Sequence, residues 1–220
     1  MEADFWHQRW AKQETGFHEG QPNALLVRHA NRLALQAGQR VFLPLCGKTR
    51  DIAWFLAQGL NVVGAELSEL AIQQLFAELN IQPSLTPEGS LLRYHVSGID
   101  MFVGDIFALS ADQMGPVDAI YDRAALVALP EAMRDRYTAH LRQITRNAQQ
   151  LLITFEYDQG LQPGPPFCIS RDEVQHHYTQ YYQPELLESV AVPGGLKGQC
   201  AASESVWHLH PTSTPHSNHS

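Results

Sequence analysis

The sequence predicts an α/β fold in which a mostly parallel sheet carries helices on both faces. Short apolar runs recur along the chain: RVFLPLC at 40–46, NVVGAE at 61–66, VDAIYD at 117–122 and QLLITFEY at 150–157. Strands buried on both faces read as such near-continuous apolar stretches. Between the runs lie segments with helical apolar spacing and short connections, the pattern of βαβ units. A length of 220 residues with 44% hydrophobic and 17% charged residues suits one domain with one core. That domain is expected over residues 1–210, with 1–21 an aromatic lid segment and 211–220 a disordered, His-rich polar tail.

Taken in order, Pro22 stands at the start of a helix over 22–37, striped by Leu25, Leu26, His29 and Leu33 and stopped by Gly38. A buried strand follows at 40–46, then a helix over 49–58 with Ile52, Phe55 and Leu56 on one face and Gly59 at its end. After the strand at 61–66, Ser68 is a good N-cap for a helix over 69–79. There Ile72, Leu75, Phe76 and Leu79 follow the amphipathic template. Residues 91–97 and 99–104 are two strands about Gly98, forming a hairpin. The strand at 117–122 precedes a helix that Pro130 opens and that runs to about residue 146, striped by Met133, Tyr137, Leu141 and Ile144. The strand at 150–157 is the most apolar late in the chain. Ser170 and Glu173 in SRDE spell a capping box for a further helix, and weaker strands follow near 184–192 and 201–209. From residue 210 onward, HPTSTPHSNHS is too polar to bury a core.

Fifteen basic against twenty-three acidic residues give a net charge of −8. Such a surface repels phosphate backbones, so nucleic acid is excluded as a partner. Cys46, Cys168 and Cys200 are odd in number and widely spaced, which suits a reducing cytoplasm rather than a disulfide framework or a zinc site. The N-terminus MEADFWHQRW has no signal-peptide pattern, and no apolar run approaches the ~18 residues that cross a bilayer. No interface stripe stands out, so a monomer is expected. The C-terminal histidines (His208, His210, His216, His219) are irregularly spaced and predict no metal site.

In a sheet of this kind, ligands meet the residues just past the carboxyl ends of the strands. After the first strand stands PLCGKT, half of a phosphate-binding loop. A full P-loop is GxxxxGK[ST], yet the position five before Gly47 is Phe42, inside the strand. A dinucleotide loop needs three glycines, and this one has only Gly47. What remains is Glu66, nineteen residues beyond Gly47, near the ~20-residue offset at which a carboxylate meets ribose hydroxyls. Its alternative reading is a solvated helix-entry residue. A ribose anchor without a pyrophosphate cradle points to S-adenosylmethionine, with Asp105 and Ile106 placed to meet the edge and face of adenine. Asp105 reads equally as a plain N-cap.

FLPLCGKTRDIAWFLAQGLNVVGAELSELAI, DRAALVALP, PGPPF and FWHQRWAKQETGFHEGQPN together resemble the thiopurine S-methyltransferase family over about residues 5–208. PLCGK in place of the usual acidic, glycine-rich methyltransferase motif is distinctive. The resemblance implies a Rossmann-like class I methyltransferase fold, with a mostly parallel seven-stranded central sheet that the hairpin extends. It implies S-adenosylmethionine as cofactor and small aromatic or heterocyclic thiols, thiopurines among them, as methyl acceptors. Bacterial relatives are associated with selenium and tellurium compounds. By position, Trp10, Leu45, Glu66, Asp105, Ile106 and Arg123 would contact the cofactor, Arg123 would also serve catalysis, and Phe17 would line the acceptor pocket. Trp6 and Trp10 are i, i+4 neighbours ahead of Phe17, either an aromatic lid or simple packing of a helix. A thiol that ionises easily needs no strong base, so Arg123 would act by favouring the thiolate. Cys46 has no histidine partner in sight and reads as packing. Two alternatives stand beside this reading: a Rossmann-type NAD-dependent oxidoreductase, and a non-catalytic protein that binds S-adenosylmethionine.

Overall fold

The structure, a computed structural model, describes Gln8 and residues 20–212. Helix α1 (Ala24–His29) is capped by Asn23, whose side chain accepts from the amides of Leu25 and Leu26 at 2.9 and 3.1 Å. It tightens into a 3-10 turn at Ala30–Leu33 and stops at Ala34, which is left-handed at φ 48°. The expected helix to residue 37 is thus cut short by tertiary contacts. His29 is held to Glu188, and the carbonyl of Leu33 is taken by the Gln149 side chain at 2.9 Å instead of a downstream amide.

β1 (Arg40–Pro44), α2 (Arg50–Ala57), β2 (Asn61–Glu66) and α3 (Glu69–Leu79) follow closely where the apolar spacing puts them. β3 (Ser84–Glu88) is not foreseen, because its residues are almost all exposed and carry no alternation. It is an edge strand, where Pro87 is tolerated. β4 (Leu91–Val96) and β5 (Ile99–Val103) form the hairpin about Gly98. The short α4 (Ala111–Met114) is also unforeseen, though SADQ spells its capping box: Ser110 Oγ accepts from Gln113 N at 3.2 Å and Gln113 Oε1 from Ser110 N at 3.0 Å.

β6 (Ala119–Arg123), α5 (Glu131–Thr145), β7 (Gln149–Tyr157), α6 (Arg171–Tyr178), β8 (Tyr182–Ala191) and β9 (Ala202–Pro211) complete the chain. Only half of the capping box expected before α6 is made. Ser170 accepts from Glu173 N, while the Glu173 carboxylate pairs with Arg134 at 2.6 Å. His210 belongs to β9, not to an unstructured tail.

The nine strands run in the order β3-β4-β5-β2-β1-β6-β7-β9-β8. β5, β2, β1, β6 and β7 are mutually parallel, and the others pair antiparallel. Relative to the expected seven strands, β3 and β4 extend one edge, and the sheet is mixed. Alternation along the parallel strands builds two cores. Phe42, Val63, Phe102, Ile120 and Leu152 face α5 and α6, through Tyr137, Leu141, Val174 and Tyr178. Val41, Leu43, Val62, Met101, Tyr121 and Ile153 face α1, α2 and α3. Among the described residues, no helix is long and apolar enough to cross a membrane.

Gly64, in the middle of β2, is dictated by this second core. A Cβ there would press on Met101 Sδ and come within 2.9 Å of Cys46 Sγ. Overpacking of this kind costs about 1–3 kcal/mol. Gly64→Ala should therefore lower the unfolding free energy by that amount, read as a lower urea midpoint at unchanged m-value. A shift below about 0.5 kcal/mol would show that the two sulfurs move aside freely.

Candidate active site

Glu66 ends β2 and is 6% exposed. Its Oε2 accepts from the backbone N–H of Gly47 at 2.8 Å, and its Oε1 from that of Ser68 at 2.9 Å. One carboxylate therefore ties the loop after β1 to the loop after β2. The first of these loops is shaped for it. Leu45 leaves β1 in the left-handed region at φ 46°, Cys46 N still reaches Ala65 O at 3.1 Å, and Gly47 turns at φ 53°. Thr49 then caps α2 through Asp51 N.

This geometry decides against a phosphate cradle. Phosphate binding needs free backbone N–H groups aimed at an anion, and the N–H of Gly47 is already spent on a carboxylate. Lys48 pairs with Glu78 at 2.6 Å, so the lysine of the Gly-Lys-Thr triplet is tied to α3. A carboxylate offers about four acceptor positions, and hydroxyls of a neutral sugar are donors as suited to them as backbone amides. The residues present thus fit a ribose without a pyrophosphate. Cys46 is buried, and burial together with the Glu66 charge holds its thiol pKa well above the ordinary value. It is a neutral packing group, as expected.

At the end of β5, Gly104 N donates to Glu66 O at 2.9 Å. Its φ of 139° and the Leu91 Cδ2 atom, 2.6 Å from a hypothetical Cβ, leave room only for glycine. Asp105 caps the following turn, its Oδ1 accepting from Phe107 N at 3.0 Å, and it is exposed. Ile106 is 5% exposed within the α5-side core, and its carbonyl accepts from His140 Nε2 at 2.8 Å. Arg123 is the last residue of β6, and the chain turns sharply after it at Ala124, φ 64°. The PGPPF loop lies against this turn. Phe167 N donates to Val127 O at 2.6 Å, and Tyr157 Oη to Pro166 O at 2.6 Å.

Leu45, Glu66, Asp105 and Arg123 therefore stand at the carboxyl ends of β1, β2, β5 and β6, four adjacent strands. The chain order reverses between β1 and β6, so the crevice for a ligand opens beside Leu45 and Arg123. Trp10 and Phe17 lie outside the described residues, as does the rest of the expected lid segment apart from Gln8, Gly20 and Gln21.

Residues 1–209 match the family described as thiopurine S-methyltransferase. The chain belongs to the thiopurine S-methyltransferase family. It is 56% identical over 210 residues to the thiopurine S-methyltransferase of Xanthobacter autotrophicus, covering 95% of this chain and 99% of that one. It is 51% identical over 209 residues to that of Teredinibacter turnerae, covering 95% and 97%. Among solved structures, a 1,6-didemethyltoxoflavin-N1-methyltransferase of Burkholderia thailandensis with bound S-adenosylhomocysteine superposes with a TM-score of 0.63 at 16% identity, covering 94% and 87%. A TehB-like S-adenosylmethionine-dependent methyltransferase of Corynebacterium glutamicum superposes at 0.57 with 13% identity, covering 96% and 98%. The chain is thus an S-adenosylmethionine-dependent S-methyltransferase with the class I fold.

In this member of the thiopurine S-methyltransferase family, two acids that sequence reasoning passed over hold the site's framework. Asp51, 1% exposed, accepts from Asn23 N at 2.7 Å and from Tyr121 Oη at 3.0 Å, fixing the start of α1 against β6. Asp122, 0% exposed, accepts from Leu126 N at 3.1 Å and Tyr137 Oη at 2.8 Å, bracing the turn after Arg123. An aspartate inside the apolar run AIYDR was the available signal. Burial drives the Asp122 pKa up to about 6, although hydrogen bonds from Leu126, Tyr137 and Ala125 oppose the rise.

Since the folded value lies above the unfolded one, folding binds an extra proton at Asp122 between about pH 4 and pH 6. Its contribution is full below pH 4 and lost as pH rises through 6, a fall of about 3 kcal/mol. Asp122→Asn removes that dependence. The stability of the native protein minus that of the variant should decline across this window in urea titrations and level off above pH 7. A difference independent of pH would show that Asp122 is ionised throughout.

Proposed function

We propose that this enzyme methylates the sulfur of aromatic and heterocyclic thiols, thiopurines among them, and extends the same attack to soft selenium and tellurium nucleophiles. It would act as a cytoplasmic monomer on small-molecule acceptors. The observation that carries the cofactor side is the Glu66 carboxylate, which ends β2 at the carboxyl edge of the sheet and braces the loop after β1. Leu45 offers its turned backbone to the methionine end, Asp105 its outer oxygen to the exocyclic amine of adenine, and Ile106 its apolar surface to the ring. The family resemblance would assign Trp10 to the cofactor and Phe17 to the acceptor.

Bound S-adenosylmethionine supplies an electrophilic methyl carbon. The protein's share is to present a thiolate to it in line. Arg123 favours the ionised acceptor by its charge, and the PGPPF loop, fastened to Val127, walls the acceptor side. Positioning and exclusion of water then account for most of the rate.

Calorimetry and turnover test this assignment residue by residue. Glu66→Ala should weaken S-adenosylmethionine binding by at least about tenfold, the loss expected for charge-assisted hydrogen bonds. Arg123→Ala should lower kcat about 100-fold or more while the cofactor Kd stays within about threefold. Unchanged binding in Glu66→Ala removes the ribose role, and parallel losses of affinity and turnover in Arg123→Ala remove the catalytic one. Labelled methyl transfer screened over thiopurines, other aryl thiols, selenite and tellurite identifies the acceptor class. Binding without transfer to any of them would overturn the proposed acceptor range.

A further inference from the structure

We propose that Glu185, His208 and His210 form a binding site for one divalent transition-metal ion of the zinc or nickel type, at the end of the sheet opposite the cofactor. His208 and His210 alternate along β9 and so share a face, and Glu185 on β8 is the direct register partner of His208. One ligand atom from each residue lies within 4.8 Å of the other two. Two imidazole nitrogens and one carboxylate oxygen are the donor set of an open three-ligand zinc site, with the fourth position left to water.

The buried histidine supplies an independent observation. His208 is 2% exposed, and its Nε2 lies 3.1 Å from Gln149 Oε1. Gln149 donates its amide nitrogen to Leu33 O at 2.9 Å, which fixes its oxygen as the acceptor and puts the proton on Nε2. Nδ1 then carries a lone pair, and it is buried without a hydrogen-bond partner. A ring whose N–H is held by a side-chain carbonyl while the other nitrogen faces no donor is oriented as metal-binding histidines are. His210 stands against it at a ring separation of 3.7 Å and reaches Glu185 Oε2 at 3.2 Å.

Glu185 also meets Arg32 at 2.5 Å, but both side chains are over two-fifths exposed, so the guanidinium can return to water when a cation takes the carboxylate. The site lies beside Gln150 and Leu151 at the start of β7, whereas catalysis is placed at the strand ends. A bound ion would clip β8 to β9 without touching the methyl-transfer chemistry.

Titration of the full chain with zinc or nickel sulfate at pH 7.5, read by calorimetry and by the melting temperature, tests this. One equivalent should bind and raise the melting temperature, with methyl transfer unchanged. His210→Gln and Glu185→Gln, both at partly exposed positions that tolerate the change, should each weaken binding at least tenfold. His216→Gln combined with His219→Gln should leave it unchanged. Binding that survives both strand variants, or that vanishes with the two tail histidines, would overturn the assignment.

Discussion

The hydrogen bonds from Gly47 and Ser68 to one buried carboxylate are the constraint on which the cofactor end depends. Glu66 receives two amides from two different loops, so neither loop can move without leaving a buried charge short of donors. Such a loss costs more than the bonds themselves contribute. The left-handed turns at Leu45 and Gly47 bring the PLCGK backbone within reach of that carboxylate. The same charge repels an anion, which agrees with the proposed role of Glu66 toward a neutral sugar.

The device recurs around the carboxyl edge. Asp105 takes the amide of Phe107, Asp122 that of Leu126, and Asp51 that of Asn23. Glycine-rich cofactor loops gain their shape from backbone freedom. Here the loops are glycine-poor, and carboxylates that accept backbone N–H groups hold them instead. This gives rigidity with bulky residues such as Leu45 and Ile106 left in place to pack. It also explains why a generic glycine-rich motif finds nothing in this chain.

What was legible in the sequence follows the same physics. β2 and α3 were readable to the residue because burial and the Ser68 cap both act locally. The place of Glu66 at the end of β2 was readable from the apolar run before it and the Ser68 cap after it. β3 was not, because an exposed edge strand has no apolar pattern to display. The end of α1 was not, because contacts from Glu188 and Gln149, more than a hundred residues away, decide it. Asp51 and Asp122 were hidden for a related reason. Their partners Tyr121 and Tyr137 come from other elements, and only the fold brings them together.

Asp122 also bears on how the acceptor loses its proton. A buried acid with a pKa near 6, one residue from Arg123, has the profile of a general base. Its geometry denies it that role. One oxygen is taken by Leu126 N and the other by Tyr137 Oη, and the residue has no exposed surface from which to reach a bound thiol. Its neighbour points the other way in function: alternation along β6 sends Asp122 into the α5-side core and leaves Arg123 for the strand end. In the proposed mechanism the pair divides the work, with the acid fixing the turn and the cation tuning the acceptor. The proposed reaction on a soft, readily ionised nucleophile suits this arrangement, because it asks the pair for charge and position and not for a proton acceptor.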